Sequence, residues 1–408
     1  MKIALIDPSL FTWPYDLKLA KGLEDIGHSA SIVGPPLGQT PSLDEQRFLE
    51  GHFYPGLQSR FFKNLPRNLQ LGIKGLSHAE SMARLIRRFK GSPPDVIHFQ
   101  WAPLAVVDSQ FIPKFRKIAP TVMTVHDSNP FNNNPSSRIQ RIGALKILHC
   151  FDHLIVHTAV ARDRLMRVGI SDEKISIIAH GLLTDHIPQP EHKPPGENER
   201  VQILLFGKIK PYKGVDVMLR ALALLPRGVR ERCVVKVVGW PEMPMAPLFS
   251  MVKDLHLEEQ VEFDLRFVPD DELASIVARA DALVFPYRDI DASGVLMLAI
   301  AAGRPIIASN LGTFSEWLSD QAAGTLIPPD DPVALSRSLE RLISDPDYRH
   351  SKSQRILALR DSVPAWTSIA RLTEAAYEKA GQRAGISPGN NALQSSRRDH
   401  LPSSLADR

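Results

Sequence analysis

The chain has 408 residues, of which 43% are hydrophobic and 23% charged, and its formal net charge is +4. That length exceeds one ordinary core and predicts two domains, and so modest a charge excludes a dedicated nucleic-acid binder. Two cysteines far apart in apolar surroundings, Cys150 and Cys233, read as buried thiols in a reducing compartment, and no apolar run nears the ~18 residues that span a bilayer.

Met1–Asp7 reads as a strand with no signal-peptide core behind it, so a cytoplasmic location is expected. Lys2–Ile6 is a predicted strand, Leu17–Ile26 a helix closed by Gly27, and Ser29–Val33 a second strand. Between Leu57 and Lys90 stand eight Lys or Arg and one Glu, interleaved with Phe61, Phe62, Leu65, Leu69, Leu71, Ile73 and Leu76. Two readings stay open: a solvated helix pair with a buried apolar face, or a surface that rests on anionic lipid. Further strands are expected at Val96–Phe99, Thr121–Val125, Leu154–Val156 and Ile175–Ile178, with helices between them.

From Asp185 to Glu197, Pro, Gly and charge replace apolar periodicity, which marks a linker. The rhythm then restarts, with strands at Gln202–Phe206, Val234–Val238, Val261–Phe263, Ala282–Phe285, Pro305–Ala308 and Thr325–Ile327. Helices are expected at Val215–Leu225, Asp271–Ala280, Val295–Ala302, Val333–Ile343 and Ala365–Ala380, the last packing back on the first domain. The tail is rich in Ser, Pro, Asn and Arg and reads as disordered over 384–408. The fold class is therefore α/β, with two Rossmann-like doubly wound domains facing across a cleft, at 1–185 and 198–360.

The run Gly207-Lys208-Ile209-Lys210-Pro211-Tyr212-Lys213-Gly214 sits where a strand empties into a helix. Two lysines five positions apart, free backbone N–H groups and a positive helix end there favour an anion, and a diphosphate best of all. The plain alternative is a pair of solvated loop charges.

These pieces resemble the retaining GT-B glycosyltransferases of family 4. The family pattern Gly-Arg-x-x-x-x-Lys-Gly matches Gly207-Lys208…Lys213-Gly214, with Lys where Arg is usual. His180-Gly181 is similar to the turn closing the family's first domain, and Val237-Val238-Gly239 to its Val-x-Gly turn near the nucleotide. Asp271-Glu272-Leu273, Ala280-Asp281-Ala282 and Val284-Phe285-Pro286 fit the same order. Where the family carries Glu-Gly-Phe-Gly-Leu-Pro and a second Glu, this chain has Ile290 to Ala299, a Ser-Gly loop variant. Ser293-Gly294-Val295 can still present amides to phosphate, but Leu298 stands where the ribose-binding Glu would be. The resemblance leaves Asp289 and Asp291 as the candidates to replace the missing first Glu, without deciding whether either does.

The resemblance implies a metal-independent hexosyltransferase acting on a UDP- or GDP-linked sugar, with no cofactor. The acceptor would be a saccharide or lipid-linked saccharide of exopolysaccharide or another surface glycan. Lys208, Lys213 and His126 would be catalytic; Gly207, Gly239, Ser293, Gly294 and Val295 would complete the donor site. The resemblance puts His126 beside the transferred sugar, with a structural histidine as the plain alternative; His98 ranks below it. Asp7-Pro8-Ser9 would face the acceptor, where Phe11, Trp13 and Tyr15 suit either sugar stacking or packing. Asp289-Ile290-Asp291 mimics a metal motif and is discounted, and Arg266 reads as a base-pocket border or a surface charge. The absence of Gly-x-Gly-x-x-Gly after Ile3–Ile6 argues against a dinucleotide oxidoreductase. An inactive GT-B-like scaffold in glycan assembly is the remaining alternative.

Overall fold

A computed structural model describes residues 1–36, 43–55, 57, 62, 65–128, 143–184, 200–290, 293–319 and 323–385, without the side chains of 43–44, 67–68 and 270–271. The expected linker from 185 to 197, Phe61, Asp291 and the tail from 386 lie outside the described residues. The chain divides into two units: residues 1–179 with the segment from Ala365, and His180–Pro364. The first unit thus ends before the expected 185, and the second runs from 180 to 364 where 198–360 was expected.

The first unit holds a seven-stranded parallel sheet: β1 (Lys2–Ile6), β2 (Ser29–Gly34), β3 (Leu49–Gly51), β4 (Val96–Phe99), β5 (Thr121–Val125), β6 (His153–Val156) and β7 (Ile175–Ile177). The spatial order is β3-β2-β1-β4-β5-β6-β7. The second unit holds six parallel strands: β8 (Val201–Phe206), β9 (Cys233–Val238), β10 (Val261–Asp264), β11 (Ala282–Phe285), β12 (Ile306–Ser309) and β13 (Thr325–Ile327), in the order β10-β9-β8-β11-β12-β13. Central strands such as β4, β5, β6, β11 and β12 are buried at every position, which explains their near-continuous apolar sequence.

The main helices are α1 (Trp13–Asp25), α2 (Arg67–Gly91), α3 (Ala159–Arg167), α4 (Val215–Ala223), α5 (Ala246–Asp254), α6 (Asp270–Arg279), α7 (Gly294–Ala302), α8 (Gly312–Leu318), α9 (Pro332–Ser344), α10 (Pro346–Ser362) and α11 (Trp366–Ala384). Helix α1 starts four residues earlier than expected because Pro14 sits in its first turn, where proline needs no amide partner. Helix α7, Gly-Val-Leu-Met-Leu-Ala-Ile-Ala-Ala, is apolar on every side and is accordingly buried from Leu296 to Ala302 except at Leu298, which is partly buried. Helix α11 reaches Ala384 rather than 380, and Gly385 closes it in the left-handed conformation at φ 68°, so 384 and 385 are not tail. It packs on the first unit: Tyr377 is fully buried, and Gly22 of α1 lies so close that an added Cβ would meet the Trp366 carbonyl at 2.6 Å.

Candidate functional site

In the second unit the ends of β8 and β9 converge through two glycines. Gly207 has φ 98° and Gly239 φ 142°, both in the region that favours glycine. A Cβ on Gly239 would stand 2.3 Å from the Gly207 carbonyl oxygen. A Cβ on Gly207 would stand 2.8 Å from the Lys213 Nζ and 3.4 Å from Val295 Cγ1. Four residues expected at the site, Gly207, Lys213, Gly239 and Val295, are therefore adjacent. After β8 the chain makes a short 3-10 turn, Pro211–Lys213, and Gly214 starts α4 with φ 68°. No side chain fits at Gly214, since a Cβ would fall 1.9 Å from the Pro286 carbonyl oxygen.

The two lysines of the motif do different things. Lys213 is partly buried; its Nζ donates to the Phe206 carbonyl at 3.4 Å and lies 5.1 Å above the Tyr287 ring. Burial, then the charges of Lys210 and Lys208, pull its ammonium down to about 7, with Glu242 opposing. Lys208 points elsewhere: its side chain is 53% exposed and its Nζ lies 3.1 Å from Glu242. Lys210 reaches the same carboxylate at 3.1 Å. Burial works against the Glu242 charge, but the two ammonium groups, Lys210 first, hold the carboxyl below its ordinary range. Neither Lys210 nor Glu242 was singled out in the sequence, although the alternation of Lys208 and Lys210 places both on one side of an extended segment.

Ser293 is buried and caps the start of α7 with no side-chain hydrogen bond to the helix. The amides of Gly294 and Val295 belong to the first turn, whose N–H groups have no acceptor within a helix. Leu298 packs into the apolar cluster beneath α7, so a hydrophobic contact replaces the carboxylate of the family pattern. Arg288 was also missed and ties the surrounding loops together. Its guanidinium spans Asp216 at 2.7 Å, Asp330 at 2.8 Å and the Pro211 carbonyl at 3.0 Å, and its own amide donates to Tyr212 O at 2.7 Å. Arg266 is a surface charge, paired with Asp264 and Glu272.

In the first unit the carboxyl edge of the sheet is lined with polar groups. Asp7 is buried and accepts from Ser9 N, Ser9 Oγ, Thr12 N and Thr12 Oγ1 at 2.9–3.2 Å, which fixes the turn between β1 and α1. Asp16, also buried, is pushed well above the usual carboxylate range by burial and by Asp7. His126 follows β5 and meets Gln100 Oε1 at 3.1 Å and His157 Nε2 at 3.1 Å. His98 is a core residue: Tyr377 Oη and Thr124 Oγ1 each lie 2.8 Å from its ring, and burial drives its pKa down to about 3. The aromatic residues of the loop also divide. Tyr15 is buried edge-on to His126, His157 and Trp366 and is a packing residue, whereas Phe11 stays 53% exposed beside Trp101.

The basic stretch is carried, where described, by α2. Met82, Leu85, Ile86 and Phe89 bury its C-terminal half, but Leu69, Leu71 and Leu76 in its N-terminal half are more than half exposed. Of the two readings left open, the buried apolar face describes the C-terminal half of α2, while the first three turns leave leucines exposed. Among the described residues no helix is long and apolar enough to cross a membrane, and no group of three His, Cys, Asp or Glu is placed to hold a metal ion.

Comparison with known proteins bears on both units. Residues 189–356 match the family described as glycosyl transferases group 1, and residues 17–186 match glycosyltransferase family 4. A D-inositol 3-phosphate glycosyltransferase of Saccharomonospora viridis is 26% identical over 250 residues, 56% of this chain and 58% of that protein. One from Streptomyces bingchenggensis is 31% identical over 227 residues, 52% of this chain and 49% of its own. The chain thus spans about half the length of these two relatives. Among solved structures, Anabaena Alr3699/HepE in complex with UDP and glucose superposes with a TM-score of 0.69 at 17% identity, over 92% of this chain and 98% of that one. At that identity the likeness establishes the fold, two Rossmann-like domains of the GT-B kind.

Proposed function

Because the chain belongs to the group 1 glycosyltransferases of family 4, we propose that it transfers a sugar from a nucleotide-diphospho-sugar, with retention and without a metal, to a saccharide or lipid-linked acceptor. The observation that carries this reading is the convergence of Gly207, Gly239, Lys213 and Val295 at the ends of β8, β9 and α7. Backbone there comes close enough to cradle a diphosphate, and a cation stands beside it. As the glycosidic bond breaks, charge builds on the departing phosphate, and donors aimed at it stabilise the transition state more than the ground state. Lys213 and the first-turn amides of α7 are those donors. Lys208, held by Glu242, acts at the outer edge of the diphosphate.

In this reading His126 meets the transferred sugar and the Asp7–Thr12 turn meets the acceptor. A UDP- or GDP-linked hexose is the donor; the UDP and glucose in the Anabaena structure support the first. Leu298 cannot accept from ribose hydroxyls, so the ribose is held through other contacts. That leucine is also the observation favouring the second reading, an inactive scaffold that binds nucleotide without turnover. A role in exopolysaccharide or surface-glycan synthesis at the inner face of the membrane fits the exposed leucines of α2 beside Lys74. Incubating the pure protein with a panel of UDP-, GDP- and ADP-sugars tests the function: hydrolysis or transfer of one donor supports it. Binding without turnover would favour the scaffold, and no binding at all would overturn both.

A further inference from the structure

The sheet of the first unit sets five residues in a row, each the first beyond its strand. Asp7 follows β1, Gln100 β4, His126 β5, His157 β6 and Ile178 β7, in the spatial order of the strands. Four of them form a hydrogen-bonded chain. Gln100 Oε1 and His126 Nε2 are 3.1 Å apart, His126 Nδ1 and His157 Nε2 are 3.1 Å apart, and His157 Nδ1 lies 2.9 Å from the Ile178 carbonyl oxygen.

The proton positions follow from that last contact. A carbonyl oxygen only accepts, so His157 Nδ1 carries a hydrogen. His157 is buried, and burial drives its pKa down to about 4 against the pull of the Ile178 carbonyl, so at neutral pH the ring is uncharged. Its Nε2 then has a lone pair and no hydrogen, and it can only accept. The partner atom, His126 Nδ1, must therefore donate. His126 keeps one variable position, Nε2, and that atom faces an amide. Gln100 can accept from an Nε2–H through its oxygen or, with the amide turned over, donate to a bare Nε2.

We propose that His157 is a positioning residue for sugar transfer: it fixes the Nδ1 proton of His126 and thereby aims Nε2 along the sheet edge, where a sugar hydroxyl exchanges with the Gln100 amide. This rests on the reading of His126 as the residue that meets the sugar. Gln100 is the resting partner of Nε2 and keeps the ring in place until the donor arrives. The arrangement does what an orienting partner does for any functional histidine, selecting a tautomer so that none is sorted out during the reaction.

The direct test is a long-range 1H–15N spectrum of the full chain carrying 15N-labelled histidine at pH 7.5. Both His157 and His126 should show a protonated Nδ1, and His157 a bare Nε2. A bare Nδ1 on His126 would overturn the proposal, whether or not any donor is turned over, so this arm is independent of the proposed activity. The kinetic arm uses His157→Phe, which keeps a ring of similar size but offers no acceptor. His126 should then redistribute toward the Nε2–H tautomer, and kcat should fall about ten- to hundredfold, as for other orienting partners. The donor KM should stay within twofold, because the substitution leaves the proposed diphosphate contacts of the Gly207–Gly214 loop untouched. His157→Gln, whose amide oxygen can accept from Nδ1–H, should restore the wild-type tautomer of His126 and most of the rate. A folded His157→Phe protein with an unchanged His126 spectrum and unchanged kcat would refute the proposal.

Discussion

Lys213 is the residue on which most of the proposed chemistry turns, and its surroundings make its charge conditional. Burial and two neighbouring ammonium groups hold it near 7, so at neutral pH it is about half charged. A bound diphosphate favours the charged form, and binding above pH 7 should draw a proton from solution. Calorimetry of a nucleotide-diphospho-sugar at pH 8 in two buffers of different ionisation enthalpy should show that uptake, with affinity falling as pH rises from 7. Binding independent of pH would remove Lys213 from the phosphate site. The same shift has a sign for folding. The unfolded lysine titrates near 10.5 and the native one near 7, so the unfolded chain holds more protons between those values. Stability should therefore rise with pH across that window. Lys213→Ala should cut transfer by about 10²–10³ and, since it removes a group whose surroundings oppose its own charge, should not lower the unfolding midpoint at pH 7. At Gly214 the cost is structural: Gly214→Ala combines a left-handed φ with a Cβ 1.9 Å from Pro286 O. It should destabilise the protein by about 1–3 kcal/mol, measured by urea unfolding. The Lys213 motif was legible in the sequence because glycines and lysines at fixed spacing are local. The capture of Lys208 by Glu242 was not, since it depends on two strand ends meeting.

Among the elements, those buried on both faces were the most legible. Strands such as Val96–Phe99 and Ala282–Phe285 announce themselves as short apolar runs. The short edge strand β3, Leu-Glu-Gly, carries no such signal. Helix α10 was missed because its charges lie all round it, yet Asp345-Pro346 has the same start as Asp331-Pro332 of α9: a capping carboxylate and a proline in the first turn. His98 looked like a site residue because it ends a strand; only the arrival of α11, with Tyr377 from 279 positions away, shows it to be core. Gly22→Val tests that packing. The added atoms would strike the Trp366 carbonyl and should loosen α11, lowering the melting temperature; an unchanged melt would mean the helix seat tolerates what its geometry forbids. For α2, replacing Leu69 and Leu76 with Ser should leave stability unchanged and reduce co-sedimentation with anionic vesicles. Equal sedimentation of both proteins would sink the membrane reading.

At the scale of the whole molecule, the chain builds two parallel sheets and then returns to the first through α11. Apolar periodicity predicted both sheets. The return was legible as a helix but not in its length, because the left-handed Gly385, not a change in composition, ends it. The second unit brings glycine backbone and lysines together at the Gly207–Gly214 loop, and the first unit carries Gln100, His126 and His157 in a row at its own sheet edge. The central claim is that the Gly207–Gly214 loop holds a diphosphate, and a crystal soaked with UDP would test it most directly. Phosphate oxygens within hydrogen-bonding distance of Lys213 Nζ and of the Gly294 and Val295 amides are the predicted result. Density for the diphosphate away from that loop, with Lys213 still on the Phe206 carbonyl, would contradict it.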